Sequence, residues 1–231
     1  MKHTAALLSL ILCACAAPRE PVSVHNALSA EQRAAGWQLL FDGESTSAWR
    51  NFRSDGEVRG WEARAGNLVC TGGGGDLITK DTYADFMLDV EWKIGPGGNS
   101  GIFFHVTEDH GAVWETGPEV QVLDNQAHGL DPLALTAAGS NYALHAPSAA
   151  VVAPVGQFNR VRLIVVGGRV VHYLNGHKVV DYTLQTEDWR ELVEASKFGS
   201  MPAYGRAGRG HIALQDHGDE VCYRNLRIRR L

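Results

Sequence analysis

The chain has 231 residues and a formal net charge of -5 at pH 7, and this length suits one domain with a full hydrophobic core. Hydrophobic residues make up 45% of it and charged residues 20%, which excludes the composition of a disordered chain. The sequence has no basic run, whereas nucleic-acid binding requires clustered positive charge against the phosphates. We therefore expect a neutral small molecule as ligand and no nucleic acid.

The N-terminal residues have the pattern of an export signal. The apolar run from Ala5 to Ala14 is shorter than the about 20 residues that a lasting membrane span needs. The sequence Leu12-Cys13-Ala14-Cys15 is similar to the bacterial lipobox, in which a small residue precedes a cysteine that is lipidated and becomes the N-terminus. Ordinary signal cleavage near Ala16 or Ala17 is the alternative.

This interpretation divides the chain into three parts. Residues 1–17 are the signal peptide and acylation region, with Cys15 as the lipidation site; residues 18–35 are a polar tether, and residues 36–231 are the folded domain. Acyl chains on Cys15 would hold the domain at a bacterial membrane, in the periplasm or cell envelope. The membrane is then a partner only through this lipid anchor.

Outside the signal region the chain has two cysteines, Cys70 and Cys222. Both lie in predicted strands near opposite ends of the folded region, and an oxidising compartment would allow a disulfide between them. Two buried free thiols are the alternative. Neither cysteine has a neighbouring cysteine or histidine at the spacing of a zinc finger.

The folded region is rich in short predicted strands separated by turn residues. The segment from Phe86 to Ile94 alternates apolar and polar residues, which predicts a strand covered on one face. Gly167-Gly168 and Asn175-Gly176 are predicted hairpin turns, and strands at this spacing are typical of an all-β sandwich. One helix is predicted from Asp188 to Phe198. The loop from Lys197 to Gly210 is a candidate lid or rim of a site.

Two neighbouring strands carry the candidate chemistry. Alternation from Glu119 to Leu123 places Glu119 and Gln121 on one face of a strand and two valines on the other. The run from Asn99 to Val106 also reads as a strand. If the two pair as a hairpin, His105 lies near Glu119 across the ladder, and both side chains reach the same small molecule.

Five segments occur in an order that resembles one protein family and together cover nearly all of residues 36–231. They are 36–43 (GWQLLFDG), 97–104 (GGNSGIFF), 115–121 (ETGPEVQ), 174–176 (LNG) and 210–218 (GHIALQDHG). The family is that of the 3-keto-disaccharide hydrolase domains, long known as a domain of unknown function. The resemblance implies a concanavalin A-like jelly roll, a β-sandwich of two curved antiparallel sheets with ligands bound on the concave one.

The resemblance also implies a reaction. The family acts on sugars whose C3 hydroxyl has been oxidised to a ketone by a partner oxidoreductase, and the ketone acidifies the proton on C2. A base removes that proton, the substituent on C1 leaves by β-elimination, and later addition of water gives net hydrolysis. Such chemistry requires a general base, a donor for the enolate oxygen and an acid for the leaving group. The expected enzyme is thus a 3-keto-glycoside hydrolase or lyase.

Three residues are candidates for the catalytic groups. Glu119 is the first choice for the general base, because a partly apolar groove raises the pKa of a carboxyl group; a solvated or salt-bridged carboxylate is the alternative. His105 is a second acid or base, a ligand of a divalent metal ion together with Glu119, or a structural histidine. His217, which shares a face with Gln215, is the next candidate for a ligand or proton donor. No other cofactor is expected.

The candidates for binding the sugar are Gln121, Lys93, Gln215, Asn141, Tyr142 and Trp114. Gln121 would hydrogen-bond hydroxyl groups, and Lys93 would lie beside the developing enolate or belong to a solvated outer face. Asn141 and Tyr142 would close the site from above. Trp114 would stack on a sugar ring.

Two other functions use the same fold. Retaining glucanases place carboxylates along one strand, as in Glu-x-Asp-x-x-Glu, whereas the run here is Glu119-x-Gln121-x-x-Asp124, and Gln121 cannot carry the central charge. A non-catalytic carbohydrate-binding module is the second alternative. Such a module has no need for one carboxylate and two imidazoles to converge, so the sequence favours a lyase with a single well-placed base.

Overall fold

The structure is a computed structural model that describes residues 25–231. The predicted signal peptide, the lipidation site Cys15 and the first part of the predicted tether lie outside the described residues. The strands are β1 (Trp37–Leu39), β2 (Trp49–Asn51), β3 (Trp61–Arg64), β4 (Asn67–Cys70), β5 (Leu77–Thr79), β6 (Phe86–Ile94), β7 (Asn99–Val106), β8 (Glu119–Leu123), β9 (Asn159–Val166), β10 (Arg169–Leu174), β11 (His177–Thr183), β12 (His211–Leu214) and β13 (Val221–Arg230). The helices are α1 (Ala30–Ala34) and α2 (Glu187–Ala195), and 3₁₀ turns span Val113–Glu115 and Lys197–Ser200.

The strands form two antiparallel sheets. The larger sheet has the order β11-β10-β9-β6-β13-β4-β3, with β1 paired to β13, and the smaller has the order β2-β5-β12-β7-β8. Neighbours in space are often distant in sequence, as with β6 and β13, which is the pattern of a jelly roll rather than of a simple meander. The predicted all-β sandwich is confirmed.

The core lies between the two sheets and follows the predicted alternation. Phe86, Leu88, Val90, Trp92 and Ile94 of β6 are all buried, and Val120 and Val122 of β8 belong to the same cluster. Each such side chain stabilises the fold by roughly 1.5–3 kcal/mol through removal of apolar surface from water. The faces predicted for β6 and β8 are therefore confirmed.

The two predicted hairpin turns are present. Gly167 and Gly168 connect β9 to β10 with φ angles of 56° and 84°, and Asn175 and Gly176 connect β10 to β11 with 50° and 86°. Positive φ at both central residues defines the turn that matches the right-handed twist of the flanking strands. Asparagine and glycine are the residues that adopt it at least cost.

Cys70 and Cys222 are both free thiols. Cys70 of β4 pairs with Val221 of β13, whereas Cys222 pairs with Val69. Directly paired residues share a face and successive residues alternate, so the two thiols point to opposite faces of the large sheet. The disulfide left open by the sequence is absent, and the two free thiols are the outcome.

The predicted helix is α2, which is shorter than expected. The Thr186 hydroxyl accepts a hydrogen bond of 3.2 Å from the amide of Trp189 and caps its start. The helix ends at Ala195, and the Ser196 hydroxyl then accepts a hydrogen bond of 3.1 Å from the amide of Phe198. The last two residues of the predicted helix, Lys197 and Phe198, thus belong to a separate 3₁₀ turn that spans Lys197–Ser200.

A ladder of stacked aromatic rings fixes α2 and this 3₁₀ turn to the sandwich. The ring centroids of Tyr182 and Trp189 are 5.2 Å apart, those of Trp189 and Tyr204 6.0 Å, and those of Tyr204 and Phe198 3.9 Å. Near-parallel rings at these separations stabilise a fold beyond the burial of their area. The ladder determines where the neighbouring Lys197 lies.

The packed region begins before the expected start at Gly36. The amide of Asn26 donates to the Asn225 side chain, the amide of Asn225 donates to the Asn26 side chain, and Asn26 Nδ2 donates to the carbonyl of Gly66. The last part of the predicted tether is therefore attached to the domain. Within residues 25–231 there is no helix with the length and apolar character that a membrane crossing requires.

Candidate active site

The candidate site lies on the face of the five-stranded sheet that points away from the core, which we call the open face. Glu119 pairs with Phe103 and Gln121 with Gly101 across β7 and β8, and Phe103 in turn pairs with Ala213 of β12. Paired residues share a face, so these side chains all belong to the open face. The intervening valines of β8 point into the core.

A groove of about 400 Å³ crosses this face. Its lining consists of Asn99, Trp114, Glu119, Gln121, Tyr142, Lys197, Met201, Gln215 and His217. Six of these residues are sequence candidates: Trp114, Glu119, Gln121, Tyr142, Gln215 and His217. The structure therefore brings together one predicted base, one predicted imidazole and most of the predicted sugar-binding side chains. Their roles remain predictions.

Among the described groove residues, Glu119 has the pKa that is shifted furthest from its ordinary value. Only 6% of the residue is exposed, and its carboxyl has no hydrogen-bond partner within the described residues. Burial raises the pKa of the Glu119 carboxyl to about 8; the charge of Asp76 adds to this effect, and Lys197 opposes it. A carboxyl group poised in this range can exchange a proton with a substrate near neutral pH.

The space for the Glu119 carboxyl comes from a glycine on the neighbouring strand. A Cβ at Gly101 would collide with Oε1 of Glu119 and with the ring of Phe103. The side chain of Glu119 therefore leaves β8 and lies over β7, towards the middle of the sheet. Of the glycines in the 97–104 segment, Gly101 is therefore the one that the site geometry requires.

Lys197 and Met201 come from the predicted rim loop, but no individual residue of it was a sequence candidate for the site. The Lys197 ammonium lies 4.2 Å from the ring centre of Tyr142, and its charge acts on Glu119. The only sequence signal was the position of both residues in the long loop from Lys197 to Gly210. That the loop forms the rim agrees with the prediction.

Two amides of the groove carry an unsatisfied acceptor. The side-chain oxygens of Asn99 and Gln121 are buried and have no hydrogen-bond partner among the described residues. Leaving such atoms unpaired costs about 1–3 kcal/mol each. Because both residues line the groove, hydroxyl groups of a ligand would satisfy these oxygens. Asn99, unlike Gln121, was not predicted from the sequence.

His217 lies at the exposed end of the groove. Its Nδ1 is 3.9 Å from a carboxylate oxygen of Asp219, and about half of its side chain is exposed. Asp216, beside it in the chain, points elsewhere and accepts hydrogen bonds from the amides of Gly74 and Gly75. His217 is thus placed for contact with a ligand, whereas Asp216 braces the glycine-rich loop.

The prediction that His105 lies beside Glu119 is wrong, and a β-bulge is the reason. Phe103 pairs with Ala213 and Val106 with His211, so β7 has two residues where β12 has one. His105 absorbs the extra residue with a φ of 54°. A bulge interrupts the alternation of faces, so the side chain of His105 no longer follows Phe103 onto the open face.

The ring of His105 packs instead on the core side of β7. It makes edge contacts with Phe86 and Phe104, with centroids 6.1 and 5.2 Å away. Its Nε2 donates a hydrogen bond of 2.8 Å to the carbonyl of Ala84, and burial lowers the pKa of the imidazole. His105 is thus the structural histidine of the alternative interpretation, and its predicted catalytic role is not supported.

The same displacement separates the predicted metal ligands. His105 and Glu119 lie on opposite faces of the five-stranded sheet, so they do not form the donor pair expected for a divalent ion. Among residues 25–231 there is no group of three or more histidine, cysteine, aspartate or glutamate side chains placed to hold a metal ion.

Two predicted sugar-binding residues also lie elsewhere. Lys93 belongs to β6 of the large sheet, where its ammonium is 5.1 Å from the ring centre of Phe158, so its outer-face alternative is correct. Asn141 is fully buried and its Nδ2 donates to Nδ1 of His145 at 2.9 Å. Asn141 therefore fixes the loop that carries Tyr142 and does not line the groove.

Asp124 cannot serve as a second carboxylate of this groove. Its two oxygens accept hydrogen bonds from the amides of Gly97 and Ala127, and these bonds hold the pKa of Asp124 below its usual range. It borders a separate cavity of about 430 Å³, next to apolar side chains such as Trp92 and Leu130. Among the described residues that line that cavity, Asp124 is the only titratable one.

Comparison with known proteins agrees with this architecture. The model of the 3-keto-alpha-glucoside-1,2-lyase-like domain matches residues 36–229. A 3-keto-disaccharide hydrolase of Bacteroides thetaiotaomicron is 33% identical over 230 residues, which cover 86% of this chain and 79% of that protein.

Solved structures give the same result. A proposed glycosyl hydrolase of Parabacteroides distasonis is 34% identical with a TM-score of 0.83, and the match covers 90% of this chain and all of that one. A second protein from the same organism, also a proposed glycosyl hydrolase, is 25% identical with a TM-score of 0.65 and covers 85% of this chain and 84% of its own. The resemblance seen in the sequence is confirmed, and the chain belongs to the family of 3-keto-alpha-glucoside-1,2-lyase-like domains.

Proposed function

We propose that this protein cleaves the glycosidic bond of 3-keto-glycosides, by removing the proton on C2 and eliminating the substituent on C1. The observation that carries the proposal is the Glu119 carboxyl, which is buried in a ligand-sized groove without a hydrogen-bond partner and has its pKa raised to about 8. The names of the family and of its B. thetaiotaomicron relative support glycoside cleavage as the general reaction.

Glu119 acts as the general base. Its carboxylate takes the C2 proton, and the electron pair of the C2–H bond moves into the C3 ketone to give an enolate. A carboxylate with a raised pKa is a stronger base than an exposed one, and proton transfer is most effective when that pKa lies near the working pH. The lack of a hydrogen-bonding partner leaves its oxygens free for the substrate.

Lys197 and Tyr142 stabilise the negative charge that develops on the C3 oxygen. Lys197 is the only lysine or arginine among the described residues that line the groove. The Tyr142 hydroxyl is a neutral donor because burial raises its pKa. Donors fixed in a partly dry site stabilise a developing oxyanion far better than water does.

The remaining groups bind the sugar and release the leaving group. The enolate electrons form a C1=C2 double bond and expel the C1 oxygen, which takes a proton from His217. Water then adds to C1, and C2 takes a proton that comes from solvent, to give net hydrolysis. The buried oxygens of Asn99 and Gln121 accept from sugar hydroxyls, and the exposed ring of Trp114 forms a stacking surface at the edge of the groove.

A reaction earlier in the sequence must supply the ketone. The family resemblance implies that a sugar oxidoreductase catalyses this earlier reaction. We further propose that the protein works at the cell envelope through lipidation of Cys15, which rests on the sequence alone.

The retaining-glucanase alternative requires two carboxylates flanking one bond. Glu119 is the only carboxylate among the described residues that line the groove, because Gln121 is neutral and Asp124 binds backbone amides. A non-catalytic binding module has no need for a carboxyl group whose pKa is raised, because binding a sugar requires no proton transfer. Elimination needs one base, which the groove has.

The experiment that tests the proposal compares 3-keto-glucosides with their unoxidised parents as substrates of the purified protein. We expect cleavage of the keto forms and no comparable cleavage of the parents. Equal rates on the two would overturn the mechanism, and binding of both without cleavage of either would favour the module.

A further inference from the structure

A second acidic side chain, Asp76, lies on the open face without a role in the mechanism above. It directly precedes β5, in which Leu77 pairs with Leu214 of β12. The next pair along the same register is Asp76 and Gln215. Since Leu77 and Leu214 point into the core, their neighbours Asp76 and Gln215 point to the open face.

Asp76 lies on the side of the sheet towards which the Glu119 carboxyl extends. The amide of Gln215 donates to the carbonyl of Gly101 at 3.0 Å, and Glu119 Oε1 occupies the space above Gly101. The order across the face is therefore Glu119 above Gly101, then Gln215, then Asp76. The two carboxyl groups are separated by about two strand spacings, on the order of 10 Å.

Nothing in its surroundings explains Asp76 as a structural ion pair. One carboxylate oxygen accepts a hydrogen bond of 3.0 Å from the amide of Asp216, and no lysine or arginine pairs with it within the part of the chain that the structure describes. A partly buried carboxylate without a cation is costly. Burial raises the pKa of Asp76 to about 6; the hydrogen bond from the Asp216 amide opposes this shift, and the charge of Asp216 adds to it. Asp76 is therefore mostly ionised at neutral pH.

The charged and titratable groups that face the pair come from several elements. Those acting on or facing Glu119 are Lys197, Asp76, Tyr142, Tyr204 and Tyr223. Those acting on or facing Asp76 are Asp216, His217 and Cys70. The tyrosine hydroxyls are neutral in the working range because burial raises their pKa values. Asp76 and Lys197 are thus the charges that set the proton affinity of Glu119, with opposite signs.

We propose that Asp76 is a positioning residue for catalysis, whose negative charge on the open face, beside the groove residue Gln215, keeps Glu119 a strong base. This rests on the proposed function of Glu119 as the base. Lys197 stabilises the enolate but weakens the base, because a cation favours the ionised carboxylate. Asp76 offsets that loss without touching the substrate.

The test is the titration of the Glu119 carboxyl carbon by NMR in substrate-free protein. Asp76→Asn keeps an oxygen for the Asp216 amide and removes the charge, so the pKa of Glu119 should fall by roughly 0.5–1 unit. Lys197→Met should raise it. Asp76→Glu, which keeps the charge, should retain most of the wild-type value.

Asp219→Asn is the matched control, because Asp219 is a carboxylate at the groove end that is not among the groups acting on Glu119. Its titration curve should overlay that of the wild type. An unchanged Glu119 titration in Asp76→Asn would overturn the inference, and so would an equal shift in Asp219→Asn. If Asp76→Asn does not fold, two other results would overturn the inference. One is an ordinary pKa for Glu119 in the wild-type protein; the other is the absence of a rise in that pKa in Lys197→Met.

Activity gives the second readout. In Asp76→Asn, the low-pH limb of the kcat/KM profile should move to lower pH by the same amount as the pKa of Glu119 measured by NMR. In Asp76→Glu, the limb should lie close to its wild-type position. A merely structural role would lower the rate without moving the limb. If the wild-type protein cleaves no 3-keto-glucoside, the proposed function fails, whereas the NMR titration still decides the coupling by itself.

Discussion

The carboxyl of Glu119 occupies the space that a Cβ at Gly101 would fill. The base of the proposed reaction thus lies over the neighbouring strand because that strand has a glycine at this position.

Gly101→Ala should displace the carboxyl, lower kcat/KM sharply and cost about 1–3 kcal/mol of stability. Gly95→Ala, where an added Cβ meets nothing within 4 Å, is the control and should change stability by less than about 0.5 kcal/mol. Full activity in Gly101→Ala would contradict this placement.

The rate should depend on pH through Glu119. Only the ionised carboxylate can take the C2 proton, and burial raises its pKa to about 8. We therefore expect kcat/KM on a 3-keto-glucoside to rise as the pH increases from 6 and to level off above about 8. A profile that falls over this range would show that the group acts as an acid.

Stability should depend on pH in the opposite sense. The pKa of Glu119 is about 8 in the folded protein against an ordinary value of 4.5, so the folded state favours the protonated form. This contribution to stability is fully present below pH 4.5 and is lost as the pH rises towards 8.

Glu119→Gln removes that dependence and abolishes the base. The variant should be about as stable as the wild type at pH 4.5 and more stable by about 1–3 kcal/mol at pH 8, while turnover is lost. Chemical denaturation at the two pH values measures the difference. A variant less stable than the wild type at pH 8 would contradict the burial of an unpaired carboxyl.

Substitutions of His105 and His217 should have different effects on stability and on kcat. His105→Asn retains a donor and tolerates the positive φ of the bulge, so it should lower stability by about 1–3 kcal/mol through lost ring packing and leave kcat of the folded protein close to wild type. His217→Gln should leave stability almost unchanged and lower kcat by about 10²-fold or more, as for a general acid. The reverse pattern would return His105 to the site.

Alternation along strands was sufficient to predict most of the groove. Glu119 and Gln121 share a face because β8 is regular, and Gln215 and His217 follow the same rule in the segment that continues from β12. These predictions need only the period of two residues. They hold wherever the strand keeps that period.

His105 and Lys93 show where the period is insufficient. The bulge at His105 exists because β12 has one residue fewer than β7 between the same pairs, a fact about a strand more than a hundred positions away. For Lys93 the face was read correctly, but pairing with β9 and β13 places β6 in the other sheet. Neither result is local in the sequence.

Lys197 and Asp76 were missed for a related reason. Lys197 reaches the groove because stacked rings from Tyr182 to Phe198 hold its loop in place, and no periodic pattern reveals such a ladder. Asp76 directly follows a glycine-rich loop, so no alternation in the sequence indicated that it extends β5. Both depend on contacts between segments that are distant in the chain.

The central claim is that the C2 proton is removed, and the most direct measurement is cleavage of a 3-keto-glucoside in D2O followed by NMR of the product. Wild-type protein should give a product that carries deuterium on C2, beyond that of a control without enzyme, and Glu119→Gln should give no product. A hydrolysis product from the wild type that retains the original C2 proton would contradict the elimination mechanism.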